Sequence, residues 1–120
     1  MSDRVRLDAE LETLHEPWRP RVLARLNGQE VKLARLRGPF VWHHHADADE
    51  LFLVWKGSFV MEFRDRAVTL AAGDLLVVPR GVEHRPVAAE DAVVLLVEPE
   101  GTRNTGNVLH PALTAPGGLA

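Results

Sequence analysis

Short apolar segments separated by turn residues follow one another along most of the chain, at intervals of roughly ten residues. The segments RVLARL and EVKLARLR flank Asn27-Gly28, a dipeptide that favours tight turns, and ELFLVWK and SFVMEF flank Gly57. Both pairs are predicted to form hairpins. The segments AVTL, LLVVP and AVVLLVE follow, with AAGD, RGVEH and AAED between them. This pattern predicts an all-β protein built as an antiparallel sandwich or barrel.

The first residues have a different periodicity. Leu7, Leu11 and Leu14 recur at helical spacing, which predicts a short helix over residues 4–14 that Pro17 stops. The last residues, PALTAPGGLA, are rich in proline, glycine and alanine, and we expect them to be loosely ordered.

These changes in hydrophobic pattern and composition divide the chain into three parts. We predict an N-terminal helical segment over residues 1–20, a single β-barrel domain over residues 21–100 and a C-terminal tail over residues 101–120.

The central strands are apolar on both faces, which is unusual for a small barrel in water. The alternation in ELFLVWK places Glu50, Phe52 and Val54 on one face and Leu51, Leu53 and Trp55 on the other. Strands of this kind need a cover outside the barrel. The N-terminal segment or a second subunit can supply it, and we favour a homodimer.

Composition narrows the function classes. The 120 residues carry a formal net charge of −3, which gives no attraction to nucleic acid or to an anionic membrane. The chain has no cysteine, so a metal must bind to nitrogen and oxygen ligands. The N-terminus is charged throughout, unlike a signal peptide, and the apolar run AVVLLV is too short to span a bilayer. We therefore expect a cytoplasmic protein.

Three consecutive histidines precede the strand ELFLVWK. If they are extended, His43 and His45 project to the same side and His44 to the other. Imidazole is a common metal ligand, and Glu50 adds an oxygen donor nearby. His84 follows a sharp Pro-Arg-Gly turn that can return the chain to the same point.

Each of these residues has an ordinary alternative explanation. Histidine pairs are usually on the surface, a glutamate at a strand start is usually solvated, and a loop histidine is usually structural. The joint pattern of two histidines, a carboxylate and a distant histidine beside strand ends favours a metal site. His15 and His110 are less suitable, because they lie at the end of the helix and in the tail.

The two segments together resemble the motifs of the cupin superfamily. The first, HHHADADELFLVWKG, covers residues 43–57, and the second, GDLLVVPRGVEH, covers residues 73–84. The chain departs from the family's motif pattern in two places. Four residues separate Gly38 from His43 where the family has five, and Ala88 stands where the family has asparagine. The second change affects a local turn and leaves the metal ligands in place.

The resemblance implies a double-stranded β-helix, or jelly-roll, barrel of two antiparallel sheets. It also implies one divalent metal ion inside the barrel on His43, His45, Glu50 and His84. Nitrogen and oxygen donors suit Fe, Mn, Ni, Co, Zn and Cu alike. Three neutral imidazoles and one carboxylate leave a divalent ion with charge +1, which favours an anionic or enolisable oxygen ligand.

Several functions remain open on these grounds. A redox metal supports dioxygenase chemistry on a small molecule in the pocket, and a non-redox metal supports isomerase or lyase chemistry. The alternatives are a non-catalytic small-molecule-binding protein and a barrel with a structural metal. Arg35, Met61 and Arg64 line the pocket only if their strand faces point inward, and for Arg64, in the turn RDR, an exposed position is the more ordinary expectation. Trp42 is predicted to pack away from the metal.

Strand parity generates a direct prediction. Replacing His43, His45 or His84 by alanine should each strip the metal, whereas His44→Ala should not. Elemental analysis of the four purified variants checks this, and loss of metal in His44→Ala would show that the predicted phase is wrong.

Overall fold

The computed structural model describes residues 3–115, which form one short helix and seven strands. The all-β prediction with a short N-terminal helix is confirmed. No helix in this part of the chain is long and apolar enough to cross a membrane. The elements in chain order are α1 Leu7–Glu12, β1 Arg21–Leu26, β2 Gln29–Pro39, β3 Glu50–Lys56, β4 Ser58–Phe63, β5 Ala67–Ala71, β6 Leu75–Val78 and β7 His84–Pro99.

Strand β7 organises the barrel, because its two halves pair with different strands. All pairs are antiparallel, and the main path runs β1-β2-β7-β3-β6. The first half of β7 pairs with β4, which in turn pairs with β5, and the second half pairs with β3. Strand β2 follows β7 along nearly its whole length, with a register shift between Leu36 and Gly38. A bulge of this kind bends the paired strands, so they can contribute to both sheets of a jelly roll.

The first predicted hairpin is present, and the prediction of the second hairpin is wrong. Strands β1 and β2 pair up to Leu26 and Gln29, and Asn27 and Gly28 both have positive φ, as a tight two-residue turn requires. Strands β3 and β4 do not pair with each other. Gly57 instead carries the chain round a crowded corner, where a Cβ atom would lie 2.6 Å from the carbonyl oxygen of Asp91.

Sequence reasoning also missed the first half of β7. The polar segment AAED was predicted to separate strands, but it lies inside the continuous strand His84–Pro99. The register shift in β2 falls opposite this segment, between the pairs Leu36–Ala92 and Gly38–Ala88. The polar residues therefore occupy the exposed bend of one long strand.

The helix is shorter than predicted and ends before Pro17. Its last turn closes at Thr13 and Leu14, whose backbone N–H groups donate to the carbonyl oxygens of Glu10 and Leu11, respectively. The guanidinium of Arg35 donates hydrogen bonds to the carbonyl oxygens of Leu14 and Leu11. Arg35 therefore points outward and anchors the helical segment, so the condition under which it would line the pocket is not met.

The helical segment covers part of the outer face of the sheet. Leu14 packs with buried Leu33 and Val93, and partly buried apolar side chains surround this cluster, namely Leu11, Leu23, Trp55 and Leu95. The main core lies inside the barrel and contains the aromatic side chains Trp18, Phe40, Phe52, Phe59 and Phe63. One of the two covers expected outside the strands is thus the protein's own N-terminal segment.

The described part of the tail, residues 101–115, packs onto the barrel, and we call it the C-terminal cap. Asn104 donates hydrogen bonds to the carbonyl oxygens of Trp18 and Leu113 and accepts one from the backbone of Ala115. Loose ordering was expected for the last ten residues or so; those up to residue 115 belong to this bonded segment, and residues 116–120 lie outside the described part.

Candidate metal centre

Backbone pairing brings the two predicted motifs together. His43 and His84 form an isolated antiparallel bridge in which each backbone N–H donates to the other residue's carbonyl oxygen, at 3.0 and 2.9 Å. The backbone N–H of Gly81 donates to the carbonyl oxygen of His45 at 2.8 Å. The sharp turn before His84 therefore returns the chain to the histidine cluster.

The structure places the four predicted ligands at one point inside the barrel. His43, His45, Glu50 and His84 each offer one donor atom, and these atoms all lie within 4.8 Å of one another. All four side chains are buried. His44 does not belong to this group, and its backbone bonds to Asn107 of the C-terminal cap.

Two of the imidazoles are fixed by backbone carbonyl groups. His43 Nδ1 lies 2.9 Å from the carbonyl oxygen of Val41, and His84 Nδ1 lies 2.9 Å from that of Val82. A carbonyl oxygen only accepts hydrogen bonds, so Nδ1 carries the proton in both rings. The tautomer leaves each Nε2 with a lone pair, which is the arrangement that metal-binding histidines commonly have.

Three buried polar atoms of the group lack a hydrogen-bond partner within residues 3–115. They are His45 Nε2, Glu50 Oε1 and His84 Nε2. Glu50 Oε1 lies 3.4 Å from His45 Nε2 and 3.5 Å from His84 Nε2. Buried polar atoms are rarely left unsatisfied, and a cation between these donors would satisfy all three. The residues therefore fit a divalent metal ion.

Burial keeps the site ready for a cation. Desolvation, followed by the influence of His84, lowers the pKa of His43 from 6.5 to about 3, so this ring is neutral near pH 7. Burial alone would raise the pKa of Glu50, but the nearby side chains of Glu98, His45 and His84 outweigh it and hold that pKa well below its usual value. The site thus offers a neutral imidazole and an ionised carboxylate.

Glu98 is a further buried carboxyl group at the edge of the site, and sequence reasoning missed it. Burial and then the charge of Glu50 raise the pKa of Glu98 to about 10, against the opposing effect of Lys32. A glutamate at the end of an apolar strand reads as a solvated charge, so the sequence carried no signal for this position.

A small apolar cavity adjoins His43 and Glu50. It has a volume of about 30 Å³, which is room for about one water molecule. Trp18 and Asn104, which come from the segments before and after the barrel strands, border it. Its remaining lining is mostly apolar and includes Leu36, Phe40, Phe52 and Leu96.

The C-terminal cap closes over the histidines. Gly106 fits so closely that a Cβ atom there would overlap the carbonyl oxygen of His44 and lie 3.2 Å from the ring of His43. The backbone N–H of Asn107 donates to the carbonyl oxygen of His44, and the Asn107 side chain accepts from the backbone N–H of His44. The cap is thereby bonded to the residue between the two clustered histidines.

The other candidate residues lie away from the metal group. Trp42 stacks under the guanidinium of Arg64, 3.8 Å from the ring centroid, and so packs outside the site as predicted. Arg64 is exposed and pairs with Glu83 at 2.7 Å, so it does not line the cavity. Met61 is fully buried in the barrel core but is not among the cavity residues.

Comparison with known proteins agrees with the two motifs. The family model described as "Cupin domain" matches residues 26–98. The chain belongs to the cupin family. It is 39% identical over 77 residues to the protein YdbB of Bacillus subtilis (strain 168), which covers 63% of this chain and 68% of that protein.

Two solved structures illustrate the range of this cupin's relatives. A cupin-2 domain-containing protein from Shewanella frigidimarina is 41% identical, with a TM-score of 0.78 over 79% of this chain and 93% of that chain. Hydroquinone 1,2-dioxygenase PnpCD, solved with Cd²⁺ and 4-hydroxybenzonitrile, is 20% identical, with a TM-score of 0.65 over 77% of this chain and 70% of that chain. The second likeness is one of fold.

The lowered pKa of His43 predicts how acid affects the metal-free protein. Between pH 6.5 and about 3 the unfolded chain binds a proton at His43 that the folded protein does not bind. The free energy of unfolding should therefore decrease as the pH is lowered through this range. His43 contributes up to about 1.4 kcal/mol of this decrease per pH unit. Urea denaturation at several pH values from 7 to 4 gives the free energy of unfolding at each pH. This free energy should depend less steeply on pH in His43→Ala than in the wild type.

Phe40→Ala is the matched control. The Phe40 ring packs edge-on against His43 with centroids 5.3 Å apart, so its removal opens a cavity at the same place without removing a titratable group. It should lower stability but keep the wild-type pH slope. An unchanged slope in His43→Ala would contradict the prediction.

Proposed function

We propose that this cupin binds one divalent metal ion through His43, His45, Glu50 and His84 and acts on a small molecule as a metal-dependent enzyme of the dioxygenase or the isomerase and lyase type. The observation that carries the proposal is the convergence of four buried donors within 4.8 Å beside an apolar cavity. When bound, the metal supplies Lewis acidity and, if it is redox-active, electron transfer.

The protein's own residues prepare the site for this chemistry. Backbone carbonyl groups hold the rings of His43 and His84 in the orientation that presents Nε2. Apolar side chains around the cavity exclude water, which strengthens every electrostatic interaction inside. A hydrophobic wall of this composition suits an aromatic or aliphatic substrate with a few oxygen atoms.

A second candidate is a non-catalytic role, in which the metal stabilises the barrel or serves a binding protein. The size of the cavity favours it. Pockets for small molecules usually enclose at least about 300 Å³, whereas this cavity encloses about 30 Å³. For an enzyme, this cavity would have to widen, or the substrate would have to approach from the open depression of about 420 Å³ that His45 also lines, whereas a structural metal needs neither.

We also propose that the active form is a cytoplasmic homodimer. Cross-strand pairing lines up two apolar rows on the outer face of the sheet. At the helix end of these rows Leu33 and Leu95 are covered, but at the β6 edge Leu75 is 60% exposed and Val77 is 49% exposed. An edge strand with such an apolar face suits a second copy of the chain. The rows are Leu33-Leu95-Leu53-Leu75 and Val31-Val97-Leu51-Val77.

The enzymatic proposal predicts turnover that depends on the four donors. Protein loaded with Fe(II) should consume oxygen with at least one member of a panel of phenols, diketones and thiols. Protein loaded with Zn(II), Mn(II) or Ni(II) should otherwise convert a carbonyl substrate without oxygen uptake. His84→Ala should abolish either activity and His44→Ala should retain it. Bound metal without turnover in any of these assays would contradict the enzyme and favour the non-catalytic role.

The dimer proposal predicts that charge on the β6 face separates the subunits. Light scattering after size exclusion should give a dimer for the wild type and a monomer for the double variant Leu75→Lys with Val77→Lys. Leu26→Lys is the matched control, since Leu26 is 53% exposed on β1 at the opposite edge of the sheet. A monomeric wild type, or a double variant that remains dimeric, would exclude this interface.

A further inference from the structure

The segment of three histidines, residues 43–45, is paired through its backbone on both edges. In an extended segment, the backbone groups of successive residues point alternately to opposite edges. On one edge His43 exchanges two backbone hydrogen bonds with His84, and the carbonyl oxygen of His45 accepts from the N–H of Gly81. The backbone groups of His44 face the other edge, where they meet the C-terminal cap.

Asn107 of the cap pairs with both backbone groups of His44. The backbone N–H of Asn107 donates to the carbonyl oxygen of His44 at 3.1 Å, and the side-chain Oδ1 accepts from the N–H of His44 at 2.9 Å. The carboxamide oxygen therefore takes the place that a backbone carbonyl has in a paired strand. A single residue thus satisfies this edge of the histidine segment.

Gly106 allows the cap to come this close. Its φ of 55° lies in the left-handed region, which glycine adopts without steric cost. A Cβ atom there would overlap the carbonyl oxygen of His44 and lie 2.9 Å from the carbonyl carbon. A larger residue at position 106 would therefore push the cap and His44 apart.

The conformation of His44 decides whether both of its neighbours reach the metal group. His43 and His45 point to the same side because the residue between them is extended. Their rings lie with centroids 5.0 Å apart. A rotation about the backbone bonds of His44 would turn one ring away from the other, and the hydrogen bonds to Asn107 resist that rotation.

We propose that Gly106 and Asn107 are positioning residues that hold the backbone of His44 extended and so keep His43 and His45 turned toward the metal. The inference rests on the proposed metal site and adds two residues that are not among its four donors. Both lie outside residues 26–98, the part matched by the family model. They act through the backbone of His44.

The test is titration of metal-free protein with Co(II), whose visible absorption bands report both affinity and coordination geometry. Asn107→Ala removes the acceptor for the N–H of His44, and the affinity should fall about 3- to 10-fold, the net effect of one hydrogen bond. Asn107→Asp keeps an oxygen acceptor at this position, so its affinity should not fall. Equal losses in the two variants would overturn the hydrogen-bond role.

Gly106→Ala tests the close approach of the cap, and Gly73→Ala is its matched control. Gly73 also has a positive φ, of 93°, but a Cβ atom there would meet nothing within 4 Å. Both variants should lower the thermal stability of the metal-free protein, because both place a side chain in the left-handed region. Gly106→Ala should also lower Co(II) affinity about 10- to 100-fold, as loss of a group that orients metal ligands does. An equal loss in Gly73→Ala would show that affinity merely follows stability, and would overturn the inference.

Thr102→Val separates the contact with His44 from general loosening of the cap. Thr102 Oγ1 donates to the carbonyl oxygen of Pro99 at 2.7 Å, at the base of the cap. This variant should bind Co(II) as the wild type does. A loss equal to that of Asn107→Ala would overturn the specific role of Asn107.

Hydrogen exchange gives a readout on the unaltered protein. Coupling between two sites is reciprocal, so a bound metal should in turn hold the cap on His44. Zn(II), which is diamagnetic and suits NMR, should slow exchange of the Asn107 amide more than that of the Gly73 amide, which donates to the carbonyl oxygen of Val54. Equal slowing of both amides would reflect global stabilisation and would contradict the coupling.

The outcomes keep the two proposals apart. Folded wild type that binds no Co(II) would overturn the metal site itself. Wild-type affinity in folded Asn107→Ala or Gly106→Ala would overturn only the positioning role. If Gly106→Ala does not fold, Asn107→Ala decides alone, since Asn107 is exposed and its side chain can be removed without opening a cavity.

Discussion

Desolvation of the four donor side chains is the constraint on which the interior of this protein depends. Three imidazoles and a carboxylate are held in a space that excludes water, and three of their polar atoms find no partner in residues 3–115. Such an arrangement costs free energy in a metal-free barrel. A cation offsets this cost, so folding and metal uptake are thermodynamically coupled in the proposed function.

Backbone pairing within the barrel holds the donor side chains in position. The bridge between His43 and His84 joins the two motifs through the backbone, and β7 continues from His84 across both sheets. The ligand at the start of β7 and the carboxyl group near its end, Glu98, thus belong to one strand. Glu50 lies at the start of β3, which pairs with the second half of β7. Sheet pairing therefore fixes the separation of the donors.

Local pattern was sufficient for some parts of the structure and insufficient for others. Asn27-Gly28 specified its hairpin because the turn demands positive φ at both residues. Gly57 also separates two apolar segments, as the turn of a hairpin would. It instead turns a corner between sheets, because β3 and β4 pair with other strands and not with each other. The four donors were predictable because spacing and residue type carry the chemistry.

Long-range contacts explain what the sequence could not predict. Glu98 and Lys32 are charged residues in segments that also fit exposed strand ends, and only the register of β2 against β7 turns them inward. The sequence left open which way Arg35 points, and the carbonyl oxygens that the helical segment places outside β2 hold it there. Asn104 gave no signal, because its role depends on a contact with Trp18, which is distant in sequence.

Trp18 and Asn104, which border the cavity, both lie outside residues 26–98, the part matched by the family model. All four donors lie inside it. In the proposed function, the metal ligands and these two lining residues are therefore encoded in separate stretches of the chain. Substitutions in the flanking stretches can therefore reshape one wall of the cavity without changing any of the four donors.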